Sequence, residues 1–358
     1  ISVINEYPDR SPAPRPLQSD MILAEGKMTR VAFYSLAAAL ILVTGCSSQP
    51  EGKISIPRQR VYPDNAFKEL DYDYLSNDWA PRGRVESFSY ETRNNLRENS
   101  ESFQKSALVY LPASYDENDT ERRYNVMYLM HGGNDSPQWY FGGEGQSTRL
   151  TRLLDSMIER KEIEPLIICA VSYYTNYSND FAANCRNFHF ELMNDIIPVF
   201  ESKYHSHARD LSPEGIAASR NHRAFGGFSM GAVTTWSVFE NRLESFKYFM
   251  PISGDSWALG NTAGGSQPTM TALHLASKVG ERGKTAEDFI IYSGSGENDI
   301  ATPNLQPQIN AMSRLSDTFI YCDNFQHGNL YLAINPYGGH DINTVINIMH
   351  NGLPKMFD

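Results

Sequence analysis

The stretch RAFGGFSMGAVTTW, Arg223 to Trp236, decides how the rest of the chain is read. Ser229 sits in Gly-Phe-Ser-Met-Gly, with an apolar run before it and helical spacing after it. A chain of this length shows G-x-S-x-G by chance about one time in ten, so the pattern by itself decides nothing. Its placement does. A strand that turns sharply into a helix exposes the residue at the turn and drives it towards positive φ, and it brings backbone so close that side chains at either flank would clash. Gly227 and Gly231 occupy those flanks. Ser229 at the start of a helix also lies at the positive end of the helix dipole.

Outward from this turn, strand-like and helix-like segments alternate. Strands are expected at 85–91, 105–113, 124–130, 166–174, 222–228, 246–253, 288–294 and 329–335. The first two read as an antiparallel pair closed by a polar loop. Helices are expected at 147–160, 188–204, 230–240, near 268–279, near 304–315 and at 341–351. Apolar runs of six to eight residues between helical patterns imply a mostly parallel sheet covered on both faces. Eight strands in this order match the α/β-hydrolase plan, whose sites lie beyond the carboxyl ends of the strands. No repeat of 20 to 50 residues is present.

A serine hydroxyl needs a base to take its proton. The α/β-hydrolase order places an acid next and a histidine late in the chain. His340, in NPYGGHDIN, follows the last strand and precedes the last helix, where the base belongs. Asp299, in SGSGENDIATPN, occupies the usual acid position; Glu297 two residues earlier and Asp255, in SGDSW, are alternatives. The oxyanion donors expected are the N–H of Met230, next after the nucleophile, and that of Gly133 in HGGND after the third strand. His131 in that loop reads as a residue that holds the turn rather than as the base. Trp139, Tyr140 and Trp257 follow strand ends. Trp139, Trp257 and Asp255 are the candidates for substrate contact, and Trp257 is the preferred aromatic wall.

The segments VYLPASYDENDTERRYNVMYLMHGG, HRAFGGFSMGAVTTW, YFMPISGDSW and GENDIATPN together resemble the esterase D-like family. Within it they are similar to the bacterial feruloyl esterases and acetyl xylan esterases of carbohydrate esterase family one, over residues 85–358. The resemblance implies Ser229 as nucleophile, Asp299 as acid and His340 as base, acting on feruloylated or acetylated xylan oligosaccharides. Many members carry a longer glycine run in the oxyanion loop than Gly132 and Gly133. Feruloyl specificity rests on the resemblance. An acetyl xylan esterase, an acyltransferase and a non-catalytic surface glycan-binding protein are the alternative readings. No metal or cofactor is expected, and GERGKT at 280–285 is not a phosphate loop, because two residues separate its glycines where four are required.

The N-terminal part reads as a targeting segment. Ile1 is not a start residue, and Met21 and Met28 are candidate starts. Arg30 followed by the apolar run Val31 to Val43 has the form of a secretory signal and is too short for a spanning helix. VTGC, Val43 to Cys46, resembles the bacterial lipobox, which implies a lipidated Cys46, a membrane-anchored exported protein and a signal segment ending at residue 45. Residues 46–84 read as a tether that then wraps onto the domain. Four acidic and four basic residues leave with 1–45, so the net charge of −11 is unchanged. That balance argues against nucleic acid, whose binding needs clustered Lys and Arg. Of the other cysteines, Cys169 reads as a buried strand thiol, while Cys185 and Cys322 are one candidate bridge in an oxidising compartment.

Overall fold

The computed structural model describes residues 64–76 and 78–357. The signal segment, Cys46 and the first part of the expected tether lie outside the described residues. Eight strands form one sheet: β1 (Arg84–Arg93), β2 (Ser102–Leu111), β3 (Asn125–Met130), β4 (Leu166–Val171), β5 (Arg223–Phe228), β6 (Tyr248–Ile252), β7 (Ile290–Gly296) and β8 (Leu330–Asn335). Their order is β1-β2-β4-β3-β5-β6-β7-β8. β1 and β2 pair antiparallel, as does β2 with β4, and all later pairs are parallel. This is the α/β-hydrolase architecture.

Strand periodicity divides the core into two layers. Val126, Tyr128 and Met130 of β3 point into one cluster, and Met127 and Leu129 into the other. In β4, Ile167, Cys169 and Val171 oppose Leu166, Ile168 and Ala170 in the same way. Both faces are therefore dry, which is why these strands read as continuous apolar runs. Helices Phe181–Glu191, Met230–Arg242, Pro268–Glu281 and Thr302–Met312 cover the first face, and Arg149–Glu159 and Ile342–Gly352 cover the second.

Two expectations change. The helix expected over 188–204 begins at Phe181, where the Asp180 side chain accepts from the Ala183 N–H, and is interrupted by a π-turn at Leu192–Ile196 before Ile197–Lys203. Pro198 lacks an N–H and its ring crowds the preceding turn, and the wider turn accommodates it. Cys185 and Cys322 are free and buried, and they belong to the core layers on opposite faces of the sheet, so no bridge joins them. The segment before residue 85 packs on the domain. Asn65 donates its side chain to the Cys322 carbonyl, Lys68 and Asn351 exchange two hydrogen bonds, and Tyr74 and Leu75 are buried in the second layer.

The start of β5 is anchored by a buried ion pair. The Arg223 guanidinium donates to both Glu201 oxygens at 2.7 and 2.8 Å, with both side chains almost fully buried. Tyr128 and Ser206 hydroxyls donate to the same carboxylate, and the Ile216 and Ser245 carbonyls accept from the other end of the guanidinium. Removing one partner leaves an uncompensated buried charge. Glu201→Ala is expected to lose about 3–5 kcal/mol in urea unfolding; a loss below about 1 kcal/mol, the worth of a surface pair, would show that water replaces the carboxylate.

Candidate active site

Ser229 joins β5 to the helix Met230–Arg242 with φ 56° and ψ −114°, a backbone region that costs a non-glycine residue on the order of 1–3 kcal/mol. The turn is held from both sides. The Ser229 N–H donates to the Ile252 carbonyl at the end of β6, and its carbonyl accepts from the Ala232 and Val233 N–H groups. A Cβ at Gly231 would lie 2.1 Å from the Met130 carbonyl oxygen, and one at Gly227 would lie 2.6 Å from that of Gly231. No side chain fits at either flank, which is the close approach that the spacing implies.

His340 stands beside this serine. Its Nε2 is 3.0 Å from Ser229 Oγ and its Nδ1 is 2.7 Å from Asp299 Oδ1. An ionised carboxylate only accepts, so the hydrogen-bond network assigns the proton to Nδ1 and leaves Nε2 free to accept from the serine hydroxyl. The Asp299 side chain has no exposed surface, whereas 23% of the His340 side chain is exposed. Burial works to raise the Asp299 carboxyl, but hydrogen bonding, of which His340 gives the largest share and the Ala301 N–H a smaller one, outweighs it and holds the group below its ordinary value. Ionised Asp299 therefore favours the protonated imidazole that proton transfer from Ser229 would create. Phe228 packs its ring against His340 with centroids 4.4 Å apart.

The loops that carry Asp299 and His340 are laced together. Glu297 donates its N–H to the Asn335 carbonyl, Asn298 donates to Gly338, and the Tyr337 N–H donates to Glu297 Oε2. Asp341 then caps the last helix by accepting from the Asn343 and Thr344 N–H groups, and the Thr344 hydroxyl donates to Gly339. His340 is thus fixed between a cross-braced loop and a capped helix. Glu297, an alternative acid, spends its carboxylate on Tyr337.

Asp255 lies neither at the acid position nor open to a ligand. It is buried, Oδ1 accepts from Trp257 Nε1 at 3.2 Å, and Oδ2 accepts from the Gly264 N–H at 2.8 Å. Both oxygens accept within the fold, and through Oδ1 Asp255 positions the Trp257 indole. Trp257 itself is partly exposed over the first core layer. Trp139 stacks on Phe228 at 4.9 Å and 12°, so it supports the ring that lies against His340. Tyr140 is buried and donates to the Met130 carbonyl.

The oxyanion loop is braced by His131. Its Nδ1 donates to the Gly132 carbonyl at 2.7 Å, and the Ser172 hydroxyl donates to Nε2 at 2.8 Å. The Tyr173 hydroxyl adds a longer bond to the same carbonyl. These contacts bring Gly133 beside Met230: a Cβ at Gly133 would sit 3.5 Å from Met230 Cγ. Among the described residues, neither N–H donates to a backbone carbonyl outside regular elements. Ser172, Tyr173 and Phe228 escape the sequence reading because each acts through a neighbour in space. So does Asp135. Its carboxylate lies 3.1 Å from where a Gly132 Cβ would be, and burial raises it against the opposing pull of His340. The signal for Asp135 was its place two residues after His-Gly-Gly.

No family model matches the chain. It is similar to endo-1,4-beta-xylanase Y of Acetivibrio thermocellus, 38% identical over 253 residues that make up 71% of this chain and 22% of that protein. The match therefore spans about a fifth of that relative's length. Among solved structures it is similar to the feruloyl esterase module from Clostridium thermocellum, as a serine-to-alanine mutant complexed with sinapinate. Identity is 34%, coverage is 84% of this chain and 96% of the module, and the TM-score is 0.71. A ferulic acid esterase of carbohydrate esterase family one from Anaeromyces mucronatus shares the fold at 16% identity and TM-score 0.58, covering 83% of this chain and 98% of its own.

Burial pushes the His131 ring down to about 4, so it is neutral in the folded protein. Unfolded, the ring returns to about 6.5. Stability from the neutral ring is complete above that value and is lost as pH falls towards 4, since the unfolded chain takes up the proton first. Over that interval the loss reaches about 3 kcal/mol. Denaturation midpoints from pH 7 to 4 should fall less steeply for His131→Gln than for the wild type; equal slopes would show that the ring does not titrate on unfolding.

Proposed function

Because the chain belongs to the feruloyl esterases, we propose that it hydrolyses the esters joining ferulate to xylan-derived saccharides, with Ser229, His340 and Asp299 as its catalytic triad. The observation that carries the triad is the continuous hydrogen-bonded line from Ser229 Oγ through both nitrogens of His340 to Asp299. Ser229 Oγ attacks the ester carbonyl as His340 Nε2 takes its proton. Asp299 fixes the tautomer and stabilises the imidazolium. The Met230 and Gly133 N–H groups hold the oxyanion, each worth roughly 100- to 1,000-fold in rate. When the tetrahedral intermediate collapses, His340 gives its proton to the leaving saccharide oxygen. Water, deprotonated by the same nitrogen, then attacks the acyl-serine and releases ferulate and Ser229.

Purified protein supplied with feruloylated, acetylated arabinoxylan fragments tests both the chemistry and the acyl group. Ferulate release should fall about a millionfold in Ser229→Ala, and about ten-thousandfold in kcat for Asp299→Asn, where the imidazole tautomer is lost. Release of acetate without ferulate would move the substrate to acetyl groups. Equal release by wild type and Ser229→Ala would remove Ser229 from the mechanism.

The same proposal places the enzyme on a membrane, exported and held by a lipidated Cys46. The apolar segment Val31 to Val43 and the VTGC motif support this. Two or more acyl chains anchor a protein stably where one does not. Expressed in a bacterium from Met28, the wild type should sediment with membranes and Cys46→Ala should not; identical fractionation of the two would exclude the anchor.

A further inference from the structure

A cavity of about 540 Å³ lies between the segment that wraps the domain before β1 and the loop from β8 to the last helix. Tyr72 stands on the first wall and Tyr337 on the second. They are the two most exposed aromatic side chains among the described residues, at 74% and 89%. Single exposed aromatics need no explanation. Two lining one cavity, beside a proposed catalytic loop, do.

Tyr337 is also held at φ 58°, a left-handed conformation that costs a non-glycine residue free energy. Its ring is too exposed for core packing to offset that cost. What holds the conformation is the N–H bond to Glu297 Oε2 at 3.0 Å. The wall that bears Tyr72 is likewise tied down, through the paired hydrogen bonds of Lys68 and Asn351 and the burial of Tyr74 and Leu75. Both rings are therefore presented by braced backbone, before any ligand arrives.

The lining between them mixes apolar groups (Phe67, Leu70, Leu75 and Pro336) with polar ones and carries one net negative charge. Asn335, Asn343 and Asn347 supply amides, and the Arg149 guanidinium donates to the Asn343 side chain. Glu69 and Asp341 are the carboxylates of the lining and Arg149 its guanidinium, and Asp341 is engaged in capping the helix. Ring faces with amides between them suit a neutral ligand whose rings have apolar C–H faces and hydroxyl edges. That is the chemistry of a saccharide, not of an anion.

The position adds direction. Gly339 and Asp341, the chain neighbours of His340, both line the cavity, although the His340 ring itself does not. In the mechanism above, His340 delivers a proton to the leaving oxygen, so the alcohol half of the ester departs beside this loop. We infer that the cavity between Tyr72 and Tyr337 is a subsite for the saccharide on the alcohol side of the scissile ester, binding a neutral pentose oligosaccharide. The inference rests on the esterase reading, since that reading places the alcohol half here.

The test compares wild type, Tyr72→Ala and Tyr337→Ala on a feruloylated arabinoxylo-oligosaccharide and on methyl ferulate, which has no sugar. The ratio of kcat/KM for the oligosaccharide to that for methyl ferulate should fall about tenfold in each variant, mainly through KM, the worth of one lost aromatic contact. An unchanged ratio in both variants would overturn the subsite while leaving the esterase reading intact. Should the wild type hydrolyse neither ester, the esterase reading fails, and titration with the unesterified arabinoxylo-oligosaccharide decides the cavity. Binding by the wild type that weakens in both variants would uphold it; no binding by the wild type would overturn it.

Discussion

The approach of the turn after β5 to the end of β3 is the constraint on which the site depends. Gly231 lies where any Cβ would strike the Met130 carbonyl, and that contact seats the first turn of the helix Met230–Arg242 directly against the sheet. Ser229 is forced into its strained conformation as a consequence, and the Ile252 carbonyl of β6 holds it there. The strain is sustained because three neighbouring strands, β3, β5 and β6, are buried on both faces and cannot shift independently. A nucleophile raised above the sheet in this way meets its partners without moving.

Those partners come from loops that follow β7 and β8, and the sheet delivers them to the same end because all the strands from β3 to β8 are parallel. Parallel pairing alone gives only approximate positions. The remaining precision comes from the hydrogen bonds between the two loops and from the cap on the last helix, which leave the His340 ring little freedom beyond its contacts with Asp299, Ser229 and Phe228. The same bracing that aligns the base also projects Tyr337 outward. One local network thus bears on both the proposed proton transfer and the proposed saccharide subsite.

Much of this was legible because its signals are local. Six- to eight-residue apolar runs report strands buried on both faces, and Gly227 and Gly231 around Ser229 report a close backbone approach. Positions after successive strands rank His340 and Asp299 ahead of other histidines and carboxylates. Other features depend on contacts that only the folded chain forms. Asp255 follows a strand as Asp299 does, and only the fold turns its oxygens onto Trp257 and Gly264. Cys185 and Cys322 are both plausible partners until the sheet separates them. The helix near Pro198 was misjudged because an apolar period does not reveal an inserted π-turn.

The amino-acid sequence by itself determined the layered α/β plan, the turn that bears Ser229, and the short set of residues from which a base and an acid had to come. These follow from periodicity, from the steric demands of glycine and from chain order, all of which act over a few residues. Tertiary structure alone decided which carboxylate meets His340, that the His131 ring is buried and neutral, and that Tyr72 and Tyr337 line one cavity. Each depends on side chains tens to hundreds of residues apart reaching a few ångströms of one another, and burial and hydrogen-bond partners exist only once they do.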